Sequence, residues 1–353
     1  MTTCYRAAVV GCGRMGTTID DQMAGRPDRD LWVPMSHAAA FNAVARTNLV
    51  AVCSRSAERA EAARTRHGVP TAYTDYRQLI DRERPDIVSV ATRPASHHDI
   101  VIYAAEHGVR AIYCEKPLSV SMQEADEMLA VCTEHGVKFN YGTQFAFMYV
   151  YRALAELVAN GSIGALKGVI AYTALSPAMW VLTHTSHMLM MLAGEANPQY
   201  VQGSASFDPA NYPDGVLDQD PQIVQGYVRF EGDVHGYIVT GPSTSTEFEV
   251  TGTNGVIRTM DNGMRMGWRR PGPVRPLTEA VPFPEVRRES GTVLLVQDLV
   301  HALDTGAETG SPLPVACLSQ EIVLGLIESH RRDGARVHLP LESRSLTVCK
   351  ADW

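Results

Sequence analysis

The chain has 353 residues, enough for one large or two medium domains, and its 45% hydrophobic and 20% charged residues are those of a globular protein with a sizeable core. A formal charge of -8 and the lack of any basic run interleaved with aromatics exclude nucleic acid as a partner. Seven scattered cysteines without a C-x-x-C pair fit a reducing compartment; no apolar run is long enough to span a bilayer, and an apolar strand pattern begins close to Met1. The expectation is therefore a cytoplasmic protein with no membrane partner.

The first element is the stretch from Tyr5 to Gly16. Ala7-Ala8-Val9-Val10 reads as a short buried strand, and it enters a turn with glycines at 11, 13 and 16. In a strand, G-x-G-x-x-G, helix arrangement Gly11 allows the tight turn, Gly13 lets a pyrophosphate approach the backbone, and Gly16 lets the next helix pack close. Phosphate would sit on the amides of Gly11, Cys12, Gly13, Arg14, Met15 and Gly16, at the positive end of the helix dipole. The helix through Thr17-Thr18-Ile19 is broken by Gly25, Pro27 and Pro34, so residues 23–35 read as an inserted loop, either a surface excursion or a cover over a bound ligand. A second helix starts at Ser36, a good N-cap residue, and runs to Arg46.

Strand two is Leu49 to Cys53. Its tip, Ser54-Arg55-Ser56, lacks the acid that holds the ribose 2'-hydroxyl of NAD and has an arginine that suits the 2'-phosphate of NADP. NADP is the preferred expectation and NAD the alternative, in which Arg55 only pairs with a carboxylate such as Glu58. A helix from Ala57 to His67 ends at Gly68, a short strand at Ala72-Tyr73 follows, and a helix runs through Leu79-Ile80. Ile87 to Thr92 is nearly continuous in apolar residues, as a strand buried on both faces of a parallel sheet would be. The turn from Arg93 to Ser96, a helix from His97 to His107, the strand Ala111 to Cys114, a helix with Met122, Ala125, Leu129 and Cys132 on one stripe, and a strand from Val137 to Tyr141 complete a strict alternation. The fold class is α/β: an N-terminal doubly wound parallel sheet over 1–122, with the helix and strand of 122–142 packing on it.

From Leu166 the texture changes. Lys167–Tyr172, Tyr200–Phe207, Ile223–Phe230, His235–Thr240, Glu247–Val250, Gly255–Met260 and Met264–Trp268 are alternating runs separated by turn residues, which predicts a large, mainly antiparallel sheet. Arg270 to Arg288 reads as a loop, and helices at Thr292–Thr305 and Ser319–Arg331 close the chain. Residues 143–353 are expected to form a second α/β domain.

Two places stand out as candidates for chemistry. Lys116 follows a parallel strand, at the sheet edge where open α/β folds bind ligands, and a lysine beside a cationic ring can have its pKa lowered enough to take a hydroxyl proton. A surface lysine is the competing reading. His184 and His187 lie three apart on an apolar helix that starts near Trp180, so both face one side. Metal lacks a third ligand at suitable spacing, which leaves a buried structural pair or a catalytic pair. His97 and His98 open a helix beside this region as caps or ligands. Arg93, Tyr149 and Tyr151 also fall near the expected site.

Taken together, GCGRMG at 11–16, ATRPASHHDIV at 91–101, CEKPLS at 114–119, His187 ahead of an apolar helix, EVTGTNGVIR from 249 and the SQEIVLGLIESHRRDGARVHLPL ending resemble the Gfo/Idh/MocA oxidoreductases, the relatives of glucose-fructose oxidoreductase and inositol dehydrogenase. The resemblance implies a Rossmann domain, an α/β domain whose broad sheet forms homodimer or homotetramer contacts, an NAD(H) or NADP(H) cofactor, and a small-molecule substrate of the sugar, cyclitol or polyol class. It makes Lys116 the catalytic lysine and His187 its partner, and places Thr92, Pro94, His97 and Glu115 around the nicotinamide. No metal is implied.

The chain also departs from that family. Thr183 stands where an aspartate is usual, four residues before His187; Met190 replaces a common acid; and Gln144-Phe145-Ala146-Phe147 replaces an arginine-rich segment. Either the substrate is less polar than a free sugar, or Thr183, His184 and Gln144, with Trp180 nearby, take over the substrate contacts beside Lys116 and His187, with His184 helping His187 to orient or deprotonate the reacting hydroxyl. Two other outcomes stay open: a retained cofactor that assists an elimination or glycoside cleavage, and a non-catalytic nucleotide or sugar sensor.

Overall fold

The computed structural model describes residues 3–194, 196–241 and 245–349. Contacts divide the chain into two units, Met1–Met148 with Arg288–Cys317 and Tyr149–Arg287 with Leu318–Asp352. This differs from the boundary expected at 142/143, because a late segment returns to the first unit.

In the first unit six strands, β1 (Tyr5–Val10), β2 (Thr47–Cys53), β3 (Thr71–Tyr73), β4 (Ile87–Val90), β5 (Ala111–Cys114) and β6 (Lys138–Tyr141), form one sheet in the order β3-β2-β1-β4-β5-β6 with every pair parallel. This is the doubly wound order, in which strands are added outward from β1 on one side and then from β4 on the other. The central strands are wholly buried, as their unbroken apolar runs require. The helices are α1 (Asp20–Met23), α2 (His37–Ala43), α3 (Ala57–His67), α4 (Tyr76–Glu83), α5 (His97–Glu106) and α6 (Met122–Glu134). Ser56 caps α3, whose C-terminus closes on Gly68 at φ 65°. Ser36 occupies the N-cap position of α2 without a side-chain cap; the Asp20 carboxylate instead accepts from the backbone N–H groups of Met35 (2.6 Å) and Ser36 (3.1 Å).

The late segment joins the β6 edge through polar contacts. Asn140 donates to the Leu295 carbonyl (3.1 Å) and to Asp298 (3.0 Å), and the Tyr141 N–H donates to the Ser311 carbonyl (2.9 Å). None of these pairings shows in local periodicity.

The second unit begins with a helix that the sequence reading lacks, α7 (Tyr149–Ala159). Its strands are β7 (Leu166–Thr173), β8 (Ser176–Pro177), β9 (Pro198–Ala205), β10 (Val216–Leu217), β11 (Gln222–Phe230), β12 (Val234–Thr240), β13 (Glu247–Gly252), β14 (Gly255–Met260), β15 (Arg265–Pro271), β16 (Thr278–Val281), β17 (Val337–His338) and β18 (Thr347–Val348), with α8 (Leu182–Leu192) after β8. The main sheet runs β16-β15-β14-β13-β7-β12-β11-β9-β17; β12 pairs β7 in parallel and the other neighbours are antiparallel. Strand β16 lies inside the stretch expected to be a loop, where four residues extend β15 across a turn. The closing helices are α9 (Gly291–Thr305) and α10 (Leu313–Arg331), the latter starting six residues before the expected Ser319. Pro314 in its first turn suits a helix start, since the amide it lacks would be unpaired there.

Candidate functional site

The glycine loop is built by close approach of backbone. At Gly11, with φ 112°, a Cβ would meet the Ala91 carbonyl oxygen at 2.4 Å; at Gly16 it would meet the Gly11 carbonyl oxygen at 1.8 Å. At Gly13 it would meet nothing within 4 Å. The first and third glycines are thus demanded by the fold, while the middle one borders open space where a ligand can lie against the main chain. The loop continues into a single π-helical turn, Arg14–Thr18, in which the Thr17 N–H donates to the Gly13 carbonyl (2.9 Å). Cys12 is buried, its thiol donating to the Cys53 carbonyl (3.3 Å) and pushed up to about 12 by burial, so it packs and does not react. Arg14 is exposed and donates to Gln22 (2.8 Å), and Met15 is half-buried.

At the tip of β2, the Ser54 N–H donates to the Tyr73 carbonyl (3.0 Å). Arg55 is exposed, and among the described residues it makes no ion pair with Glu58. Its guanidinium is therefore available to an anionic ligand.

The ends of β4 and β5 are locked together. Pro94 is buried, the Ser96 hydroxyl donates to the Thr92 hydroxyl (2.9 Å), and His97 is fully buried. One ring nitrogen of His97, Nδ1, lies 3.0 Å from the Pro117 carbonyl and 3.2 Å from that of Leu118; Nε2 lies 3.3 Å from the Thr92 carbonyl. Desolvation holds this imidazole below the usual histidine range. His97 therefore acts as an internal bolt between two loops. From Ala111 to Val120 every residue is buried except Lys116, which is partly exposed. Glu115, directly before it, is 3% exposed.

Gln144 sits in a short 3-10 turn, 2% exposed, beside the buried Tyr113 hydroxyl. Its carbonyl leaves no room for a side chain at residue 291, where a Cβ would approach to 2.5 Å, which explains Gly291.

In the second unit α8 carries the histidine pair. Asp220, unremarked in the sequence, accepts from the N–H groups of Met179 and Trp180 (2.9 Å each) and anchors the chain ahead of the helix. Trp180 and His184 are half-buried, and His187 is 2% exposed with its imidazole pushed down to about 4 by burial. Thr183 is buried and its hydroxyl donates to the Met179 carbonyl (2.9 Å), so that proton is already committed. Tyr149 and Tyr151 lie on α7; Tyr151 is fully buried against Phe248, and the Tyr149 hydroxyl accepts from Arg287 (2.7 Å).

Sequence reasoning passed over His37 and Ser89. His37 opens α2, fully buried, with Nδ1 2.5 Å from the Ser89 hydroxyl and Nε2 2.9 Å from Glu115. The signal was a lone serine inside the apolar strand β4 and a histidine at a helix start, both of which pass for ordinary core and cap residues.

Residues 5–143 match the family model GFO_IDH_MocA, described as "Oxidoreductase family, NAD-binding Rossmann fold". The chain is 44% identical over 91 residues to a 2,7-anhydro-N-acetylneuraminate hydratase from Mediterraneibacter gnavus, covering 26% of this chain and 24% of the relative. It is 28% identical over 160 residues to a D-apiose dehydrogenase from Paraburkholderia graminis, covering 45% and 38%. The matched stretches thus span well under half of these two relatives' lengths. The fold is similar to that of a scyllo-inositol dehydrogenase from Lactobacillus casei solved with NAD(H) and scyllo-inositol: TM-score 0.70 over 95% of this chain and 99% of that one, at 16% identity.

Proposed function

We propose that this chain, whose residues 5–143 match the NAD-binding Rossmann model of the Gfo/Idh/MocA family, is an NAD(P)-dependent dehydrogenase or reductase acting on a secondary alcohol or ketone of a sugar, cyclitol or related polyol. The observation that carries the reading is the glycine loop, closed by backbone at Gly11 and Gly16 and open only at Gly13. A pyrophosphate fits that cradle on Gly11 to Gly16, with Ser54 and Arg55 at the adenosine ribose and Thr92, Pro94 and Glu115 bordering the nicotinamide. When bound, the nicotinamide supplies or accepts the hydride. The exposed position of Arg55 at this tip favours NADP.

Lys116 takes the hydroxyl proton in oxidation and returns it in reduction, as the partly exposed residue of an otherwise buried strand end. In the second unit His187, kept neutral by burial, is the group we propose for binding a substrate hydroxyl, with His184 and Trp180 from the same helix region beside it in sequence. Assembly as a homodimer or homotetramer through the outer face of the large sheet, where Tyr237 is 40% and Val239 42% exposed, completes the reading of a cytoplasmic enzyme.

The test is a fluorescence titration of cofactor-stripped protein with NADPH and with NADH, repeated on Arg55→Ala. Tighter NADPH binding that the substitution abolishes supports the assignment; tighter NADH binding unaffected by it makes the cofactor NAD; binding of neither overturns the enzyme reading. A second reading is favoured by the relative named as a hydratase: elimination or hydration assisted by a retained nicotinamide. Substrate loss without net change in nicotinamide absorbance would establish it over the first.

A further inference from the structure

His37 lies in a buried polar chain that crosses three elements. The Ser89 hydroxyl on β4 meets its Nδ1 at 2.5 Å, its Nε2 meets the Glu115 carboxylate at 2.9 Å, and its ring stacks on that of Tyr113 with centroids 3.9 Å apart and planes at 8°. His37 and Ser89 are 0% exposed and Glu115 3%. Nε2 faces a carboxylate oxygen, which accepts from an imidazole N–H. Ser89 satisfies the other nitrogen, which leaves the ring no freedom to turn.

Apolar side chains would fill this volume at lower cost, because buried polar and charged groups must recover their lost hydration through hydrogen bonds. Nor does the chain resemble a working acyl-transfer triad, since no reagent reaches a hydroxyl sealed inside a parallel strand. The arrangement does fix one thing, which is Glu115. Its N–H donates to the Val90 carbonyl (2.9 Å), its carboxylate is held by His37, and Gly142 leaves room beside it, since a Cβ there would stand 2.9 Å from the Glu115 Cα and 3.1 Å from its Oε1. The next residue is Lys116, and the carbonyls of the following Pro117 and Leu118 are held by the second buried imidazole, His97. The partly exposed lysine is thus bracketed by two histidine-held points.

We propose that His37 is a positioning residue for Lys116: through Glu115, with Ser89 locking its ring, it sets the backbone and carboxylate from which the lysine projects at the end of β5. The inference rests on Lys116 being the proton-transfer residue, but its test needs no substrate. The chain has lysines at 116, 138, 167 and 350 only, so reductive methylation followed by peptide mass spectrometry reads Lys116 against the exposed Lys167 as internal standard.

A glutamine at position 37 can place its amide nitrogen near the position of Nε2, and an asparagine can reach only that of Nδ1. His37→Gln therefore keeps the contact to Glu115, and His37→Asn keeps only the contact to Ser89. The expected result is a Lys116 methylation rate and an NADPH dissociation constant near wild type in His37→Gln, and both changed by about tenfold in His37→Asn. Glu115→Gln, an isostere that lacks the charge, serves if His37→Asn does not fold, and it should change both readings as well. Equal methylation of Lys116 in wild type, His37→Asn and Glu115→Gln overturns the proposal and leaves His37 as core packing. Turnover is a separate matter: methylation that follows the expected pattern in a protein inactive on every polyol keeps the positioning role and rejects the dehydrogenase reading, whereas an active protein indifferent to position 37 does the reverse.

Discussion

Acidification should destabilise this protein through His187 in a window that the structure defines. The residue is 2% exposed on α8, and burial lowers its imidazole from the ordinary 6.5 to about 4. Above 6.5 the ring is neutral in both folded and unfolded chains, so its contribution to stability is fully present. Between 6.5 and 4 the unfolded chain gains a proton that the folded state refuses, and the folded state loses ground at up to about 1.4 kcal/mol per pH unit. Over the window this amounts to about 3 kcal/mol, and below 4 the loss stops growing. His187→Asn removes the titration, so the difference in unfolding free energy between wild type and variant should shrink by that amount from pH 7 to pH 4 in urea titrations. Taking the difference cancels groups common to both proteins. A difference that stays constant over this range would mean that the imidazole is solvated in the folded state, and the burial argument, with the orienting role built on it, would fail.

Two further substitutions separate binding from folding. Gly16→Ala drives a methyl into the Gly11 carbonyl oxygen and should cost about 3 kcal/mol in thermal or urea unfolding, whereas Gly13→Ala meets nothing within 4 Å and should unfold like wild type while binding NADPH more weakly. In the 23–35 insertion, Asp28 accepts from Arg26 (two contacts at 2.7 Å) and from the indole N–H of Trp32 (2.9 Å), and Arg26 foremost holds its carboxyl down to about 2. That stabilisation is present above about 4 and disappears as the pH falls toward 2. Asp28→Ala should remove about 1 kcal/mol, since Arg26 is half exposed and screened, and should change the tryptophan emission of the folded protein; an unchanged spectrum would deny the Trp32 contact.

The first unit was largely legible because its signals are local. Apolar runs mark β1, β2, β4 and β5, glycines at 68, 108 and 136 follow the helices between strands, and the roles of Gly11, Gly13 and Gly16 follow from what a Cβ would strike. The insertion at 23–35 was visible as a break, but its internal order was not: the edge-on contact of Trp32 with Phe145 (5.4 Å) and the Ser290 bond to the Pro34 carbonyl (2.5 Å) join residues more than a hundred positions apart. For the same reason the return of α9 to the first sheet is hidden, since it depends on Asn140 meeting Asp298. Helix α7 was missed although Val150, Leu154 and Leu157 repeat at helical spacing, because its start, Tyr149-Val150-Tyr151, has the aromatic and β-branched content of a strand. Strand β16 is short and polar, and only pairing with β15 makes it a strand.

The histidines illustrate why motif position alone underdetermines chemistry. His97 and His187 were each expected near a reacting centre, yet both are buried and both are held below the usual imidazole range, which makes them poor proton carriers at neutral pH. What burial removes in basicity it returns as fixed orientation: His97 ties the Thr92 loop to Pro117 and Leu118, and His37, which no motif marked, ties Ser89 to Glu115. Lys116 alone in its strand end retains access to solvent. On the proposed reaction this division assigns proton transfer to the lysine and geometry to the imidazoles, so substitutions at His37 or His97 should alter how Lys116 is presented, while only loss of the lysine amine removes the proton acceptor itself.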